Sequence, residues 1–196
     1  MPFAISAGEN HALGRIYIAL GANQSYRGKA PLENLNYALG ALETAGARPI
    51  ALSRPWLTPA WPDPSDPPFI NAAAEIEWGA GADALMALFH QVEIEFGRVR
   101  TDRNAPRSMD IDLIDFRGEV RQPPAAGDLA LPHPRAANRA FVLLPLKDIA
   151  PDWRDPVSRA SIDGLIRALP SADREACIPA DGVLCAAAPG LMPRGA

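Results

Sequence analysis

The chain has 196 residues, of which 48% are hydrophobic, enough for one ordinary domain that buries about 70% of its unfolded surface. A net charge of −4 provides no global basic field, so a nucleic-acid backbone is not an expected partner and any polyanion site has to be local. No segment approaches the roughly 20 apolar residues of a bilayer span, and the opening MPFAISAGENHALGR lacks a long apolar run or a basic leader, so a cytoplasmic protein without a membrane partner is expected.

In chain order, IYIAL at 16–20 is a β-rich apolar run that ends at Gly21 and predicts a strand entering a loop over 21–29. Pro31 suits a first helical turn, and Leu32, Leu35, Leu39 and Leu42 recur at helical spacing up to Gly46. RPIALS predicts a second strand. Between 58 and 68, Pro59, Pro62, Pro64, Pro67 and Pro68 exclude regular structure. A third strand is predicted over 69–78. A helix follows over 82–96, with Leu85, Phe89, Val92 and Phe96 on one face and Gly97 closing it. After a second long loop at 98–107, Met109, Ile111 and Leu113 alternate with Asp110 and Asp112, the period of a half-buried strand whose carboxylates face away from the core.

Beyond Pro132 the chain reads as turn-rich, with one helix over 161–169 and then a Pro/Ala/Gly tail without periodicity. Cys177 and Cys185 lie in that tail without a nearby histidine, which favours reduced thiols over a metal cage or a disulfide framework. The expected organisation is an N-terminal extension at 1–15, one domain at 16–170 and a flexible tail at 171–196, whose removal is expected to cost little. Strands separated by helices predict an α+β fold, a ferredoxin-like antiparallel sheet sandwich with helices over one sheet face.

Residues two apart on a strand project from the same face, about 7 Å apart, so Asp110 and Asp112 have the spacing to hold one or two Mg²⁺ ions. An isolated D-x-D reads as a solvated strand face. The loop before it shifts the balance, because Arg98, Arg100, Arg103 and Arg107 are opposed there only by Asp102, and arginine forks match phosphate oxygens. A triphosphate with its metal fits that combination. Phe69 and Asn71 share one side of a strand, an aromatic face beside a planar amide, which suits a flat heterocycle and equally suits packing. His133 between two prolines reads alone as a loop histidine.

ALGAN, RPWLTPAW, FINAA, VEIEFGRVR, PRSMDIDLIDF, LPHPRAANRAFVLLPL and IAPDW, in that order and spacing, resemble the 6-hydroxymethyl-7,8-dihydropterin pyrophosphokinases of the folate pathway over residues 16–153. The resemblance implies a ferredoxin-like αβ fold and an enzyme that transfers the terminal diphosphate of ATP to the pterin hydroxymethyl group, releasing AMP. By position, it implies that Asp110 and Asp112 bind two Mg²⁺, and that Arg98 and Arg107 engage the phosphates. Arg100, Glu93, His133 and Arg139 would surround the nucleotide, with Arg103 in the same mobile loop. Thr58, Pro59, Phe69, Asn71 and Phe141 would line the pterin pocket, the ring lying between Phe69 and Phe141. Loops 21–29, 58–69 and 98–107 would be three long active-site loops closing over the substrates.

The sequence also departs from that family's pattern. Asn104 stands after Arg103 where the family usually has a tryptophan, and Trp61 in the proline-rich loop is a candidate replacement over the pterin. His90 replaces a glutamine, and Asp128 and Ala130 replace frequent polar or basic contacts near adenine. No general base is identified. The expected partners are ATP and a pterin, and the expected assembly is a monomer. The competing readings are a non-catalytic ferredoxin-like module that binds nucleotide or pterin without turnover, and a two-metal nucleotidyltransferase acting on another alcohol.

Overall fold

A computed structural model describes residues 14–60, 63, 65–97, 107–123, 125 and 128–186. The first strand, β1 (Ile16–Ala22), carries no charged residue and is buried on both faces, as its near-continuous apolar sequence requires. Helix α1 (Pro31–Thr44) starts at the predicted proline, and Glu33 Oε2 accepts the Ala30 N–H at 2.8 Å, which satisfies a donor at the helix start. Then come β2 (Arg48–Leu52), β3 (Trp56–Thr58), β4 (Phe69–Glu77), α2 (Ala82–Glu95) and β5 (Asp110–Phe116). A 3₁₀ turn (Ala136–Asn138) leads into α3 (Ala140–Ile149), α4 (Ile162–Ala168), α5 (Ser171–Glu175) and β6 (Ile178–Pro179).

The strands form one antiparallel sheet in the order β5-β1-β4-β3-β6, with β2 also paired to β4. β2 and β3 follow one another along the same edge of β4. At the break between them Ser53 keeps the ladder intact: its N–H donates to the Ala73 carbonyl at 2.9 Å, and its hydroxyl accepts the Ala73 N–H at 2.9 Å. The βαββαβ order with β1 central is the ferredoxin-like arrangement anticipated from the sequence.

Helices cover both faces of the sheet, not one. Ile16, Ile18 and Leu20 pack with Leu35, Leu39 and Leu42 of α1 and with Leu85, Phe89 and Val92 of α2. On the other face Tyr17, Ala73 and Ile114 pack with Val142, Leu143 and Leu146 of α3 and Ile162 of α4. The second layer escaped the sequence reading because α3, AFVLLPLKDI, is apolar nearly all round and holds Pro145, so it shows no helical stripe. α4 matches its prediction, and the Ser161 hydroxyl caps it by accepting the Gly164 N–H at 3.2 Å.

The region expected to be a flexible tail from 171 is folded as far as 186. It forms α5 and β6, buries Cys177 and places Leu184 in the same core as α1. It lacks periodicity because it is held by backbone hydrogen bonds and single apolar contacts along its length. Residues 1–13 and 187–196, at the ends of the predicted extension and tail, lie outside the described residues.

Candidate active site

On the face of the sheet that meets α3, β1 offers only Ala19 and Gly21 at its C-terminal end, and these small residues leave a cleft of about 580 Å³ above the strands. Asp110 and Asp112 lie across from them, Gly21 paired with Asp110 and Ala19 with Asp112, while Ile111 and Leu113 point into the opposite core. The predicted alternation of β5 therefore brings both carboxylates into one cleft.

Each carboxylate has a cationic or polar neighbour. Arg107 Nη1 lies 2.7 Å from Asp110 Oδ2, a charge-assisted contact. Arg139 Nη1 and His133 Nε2 stand farther off, at 3.8 Å and 3.9 Å from Asp112 Oδ2. Burial, and then repulsion from Asp110, pushes the Asp112 carboxyl above its ordinary pKa, while burial lowers that of His133 despite the pull of Asp112. His133 Nδ1 accepts the Arg135 N–H at 3.2 Å, so in the neutral ring the proton sits on Nε2, the atom nearest Asp112. Glu93, on α2, is buried at 2% exposure, and its Oε1 accepts the Ile111 N–H at 3.0 Å. It thereby fixes the edge strand between the two aspartates from the cleft wall.

The other end of the cleft is built on β3 and β4. Asn71 Nδ2 donates to Thr58 Oγ1 at 2.7 Å, and both side chains are buried. Gly21 pairs with Asn71 as well as with Asp110, and a Cβ there would lie 2.7 Å from Asn71 Oδ1. Only glycine lets that amide oxygen lie over β1. Pro59, Phe69 and Phe141 line the same end, Phe69 half-buried and Phe141 37% exposed, with the Arg139 guanidinium carbon 5.3 Å from the Phe141 ring centroid. Arg98, Arg100, Arg103, Asn104 and Trp61 lie outside the described residues.

Two contributors were missed from sequence. Asn23, at the exit of β1, binds three loops together: its N–H donates to the Arg107 carbonyl at 3.0 Å, its Oδ1 accepts the Arg107 N–H at 2.8 Å, and its Nδ2 donates to the Pro67 carbonyl at 3.0 Å. Arg135, on the cleft wall, is the other. Both stand in the ALGAN and LPHPRAANR blocks, which were the only available signal.

The family described as 7,8-dihydro-6-hydroxymethylpterin-pyrophosphokinase (HPPK) matches residues 17–151. The chain belongs to this family. Among curated HPPK relatives, the 2-amino-4-hydroxy-6-hydroxymethyldihydropteridine pyrophosphokinase of Pseudomonas aeruginosa is 34% identical over 146 residues, covering 74% of this chain and 86% of that protein. The enzyme of the same name from Methylorubrum extorquens is 37% identical over 142 residues, covering 70% and 84%. The one from Synechocystis sp. is 34% identical over 135 residues, covering 69% and 68%. The crystal structure of wild-type Plasmodium falciparum HPPK-DHPS aligns with a TM-score of 0.62 at 12% identity, which shows a shared fold. That alignment covers 79% of this chain, and this chain spans only 44% of that one. No helix among the described residues is long and apolar enough to cross a membrane.

Proposed function

We propose that this chain transfers the diphosphate of ATP to the hydroxymethyl group of 6-hydroxymethyl-7,8-dihydropterin, releasing AMP, with the phosphates at the Asp110/Asp112 end of the cleft and the pterin at the Thr58/Asn71 end. The pyrophosphokinase activity and its place in folate biosynthesis follow from the family. One observation carries the placement of the two substrates: Gly21 is paired on one side with Asn71 and on the other with Asp110, so a carboxylate pair and a buried amide flank a single open residue in one cleft.

Asp110 and Asp112 suit Mg²⁺, which takes one or two carboxylates and completes its shell with phosphate oxygens and water. Two ions are proposed; when bound, they neutralise phosphate charge. Arg107 and Arg139 add positive charge at the cleft, and His133, neutral with its proton on Nε2, serves as a hydrogen-bond donor to the nucleotide. Arg98, Arg100 and Arg103 are proposed for the same polyphosphate from the preceding loop, and Glu93 as the support of β5 beside it.

At the other end Asn71 is oriented to read the pterin edge. One N–H of its Nδ2 is given to Thr58, its Oδ1 accepts from the heterocycle, and Phe69 and Phe141 hold the ring between them. Pro59 and Trp61 are proposed to cover the ring from the proline-rich loop. The pterin hydroxyl oxygen then attacks the β-phosphorus, the bond from that phosphorus to the bridging oxygen of AMP breaks, and the electron pair leaves on AMP. Positioning and fixed charge carry the rate, with no covalent enzyme intermediate. A monomer in the cytoplasm is the proposed working state.

Incubation with ATP, Mg²⁺ and the pterin alcohol, scored for AMP and the pterin diphosphate, tests this reading. Asp110→Ala and Asp112→Ala are expected to abolish turnover while the circular dichroism spectrum stays unchanged, since both side chains sit at the cleft surface. Turnover near the parent rate in both variants at saturating Mg²⁺ would remove the metal assignment.

A further inference from the structure

The family match ends at residue 151, but the chain continues as folded structure to 186 and returns to the pterin end of the cleft. After α5, β6 pairs antiparallel with β3, Pro179 opposite Trp56 and Ile178 opposite Leu57. The Ala180 N–H then donates to the Pro55 carbonyl at 2.9 Å. At Gly182, with φ of 113°, the chain passes so close to α1 that any Cβ would collide with Leu32. Leu184 is buried at 6% exposure in the core beside α1, and the Cys185 N–H donates to Asn36 Oδ1 at 3.0 Å. Residues 178–185 thus form a strap from the outer edge of β3 to the outer side of α1.

β3 needs such support. It is three residues long, shares its partner β4 with β2, and would be an unpaired edge without β6. Besides β4 and β6, Trp56 ties it to α3, its Nε1 donating to Asp148 Oδ2 at 3.0 Å. Its last residue is Thr58, whose hydroxyl oxygen accepts from Asn71 Nδ2 at 2.7 Å and so holds that amide in place at the cleft. A shift of β3 by about 1 Å takes that 2.7 Å bond beyond hydrogen-bonding distance and frees the amide to turn.

We infer that the strap at 178–185, outside the family match, is a positioning element for the pterin end of the cleft, acting through β3 and Thr58 on the orientation of Asn71. The inference rests on the proposal that Thr58 and Asn71 bind the pterin. Ala180, Gly182 and Leu184 are its positioning residues. None of them reaches the cleft.

The test uses the full chain. Ala180→Pro removes the N–H donated to Pro55, and Leu184→Ala removes the apolar anchor. Calorimetry gives the affinity for the pterin alcohol in the presence of Mg²⁺ and a non-hydrolysable ATP analogue, and separately for that analogue, at a temperature where circular dichroism shows full folding. Should Leu184→Ala fail to fold, Ala180→Pro carries the test alone.

The expected result is pterin affinity reduced about tenfold with analogue affinity held within about twofold. On a Thr58→Val background, Ala180→Pro is expected to cost little more, because the route it acts through is already cut. General loosening of the domain would instead weaken both ligands alike and persist on the Thr58→Val background. Either result overturns the inference. Asn71→Ala serves as the control. If it weakens pterin binding while the strap variants do not, the strap alone is refuted; if Asn71→Ala also leaves pterin affinity intact, the pterin placement has failed and the strap's role with it.

Discussion

At the scale of single residues, Gly21 does more for the cleft than its place in an apolar strand suggests. It lies on the floor between Asn71 and Asp110, and its missing side chain is what allows the Asn71 oxygen to lie over β1. Gly21→Ala would put a methyl group 2.7 Å from that oxygen, so the amide has to rotate and give up its 2.7 Å bond to Thr58. A buried amide deprived of its partner costs about 1–3 kcal/mol, and about tenfold or more of pterin affinity goes with the lost orientation. Affinity for Mg²⁺ and ATP is expected to stay within about twofold, since the carboxylates lie on the opposite neighbour strand. Titration calorimetry with each ligand checks this, and unchanged pterin affinity would mean that the Asn71 oxygen is not a contact. That Asp110 shares a face with Asp112, and Phe69 with Asn71, was legible in the sequence because strand alternation decides it, while their proposed roles came from the arginine-rich loop and the family resemblance. The role of Gly21 was not legible, because it depends on which residues of β4 and β5 are paired with it, and register is a tertiary fact.

Among the elements, the loop after β1 is a junction. Asn23 is 4% exposed and ties Arg107, which contacts Asp110, to Pro67, two residues before Phe69. Both proposed ends of the cleft are therefore tethered to one side chain. Asn23→Ala leaves the Arg107 N–H and the Pro67 carbonyl without that partner. The expected cost is about 2–4 kcal/mol in denaturant unfolding, with a lower kcat as Arg107 loses its fixed place. Asn23→Asp keeps an acceptor for Arg107 but turns a buried carboxyl oxygen onto the Pro67 carbonyl, so only at low pH, where that carboxyl is protonated and can donate, should it fall between parent and Asn23→Ala in stability. Equal losses in the two variants at that pH would argue against separate tethers. α1, α2 and β5 were readable because each shows one strong period, and β1 and β4 because each is an apolar run of strand length. β3 and β6 were missed because three and two residues carry no period, and α3 because an almost wholly apolar helix has no stripe to detect.

On the scale of the whole molecule, the C-terminal segment changes what kind of object the domain is: its sheet is closed at the β3 edge, and both helical layers are joined to the tail. Cys177 packs with α3 and α4 in one core, while Leu184 packs with α1 in the other. Removing everything beyond Pro170, which the sequence alone presents as harmless, is therefore expected to expose both cores and the β3 edge together. The two cysteines report on this without any substrate. Burial pushes the Cys177 thiol up to about 11, and its Sγ donates to the Asp173 carbonyl at 3.2 Å, so at neutral pH it stays protonated and covered. Cys185, eight residues on, is exposed. In the native full-length protein, an aromatic disulfide reagent at neutral pH is expected to titrate one thiol rapidly, assigned to Cys185 by peptide mass spectrometry, and a second, Cys177, slowly unless denaturant is added. Because reaction at Cys177 requires the tail to leave the domain, its slow rate measures the local opening of that segment. Leu184→Ala loses a buried side chain worth about 2–5 kcal/mol. If that anchor holds the tail, Cys177 reactivity rises steeply in this variant while Cys185 changes little; equal reactivity of the two thiols in the parent protein would place the tail off the domain.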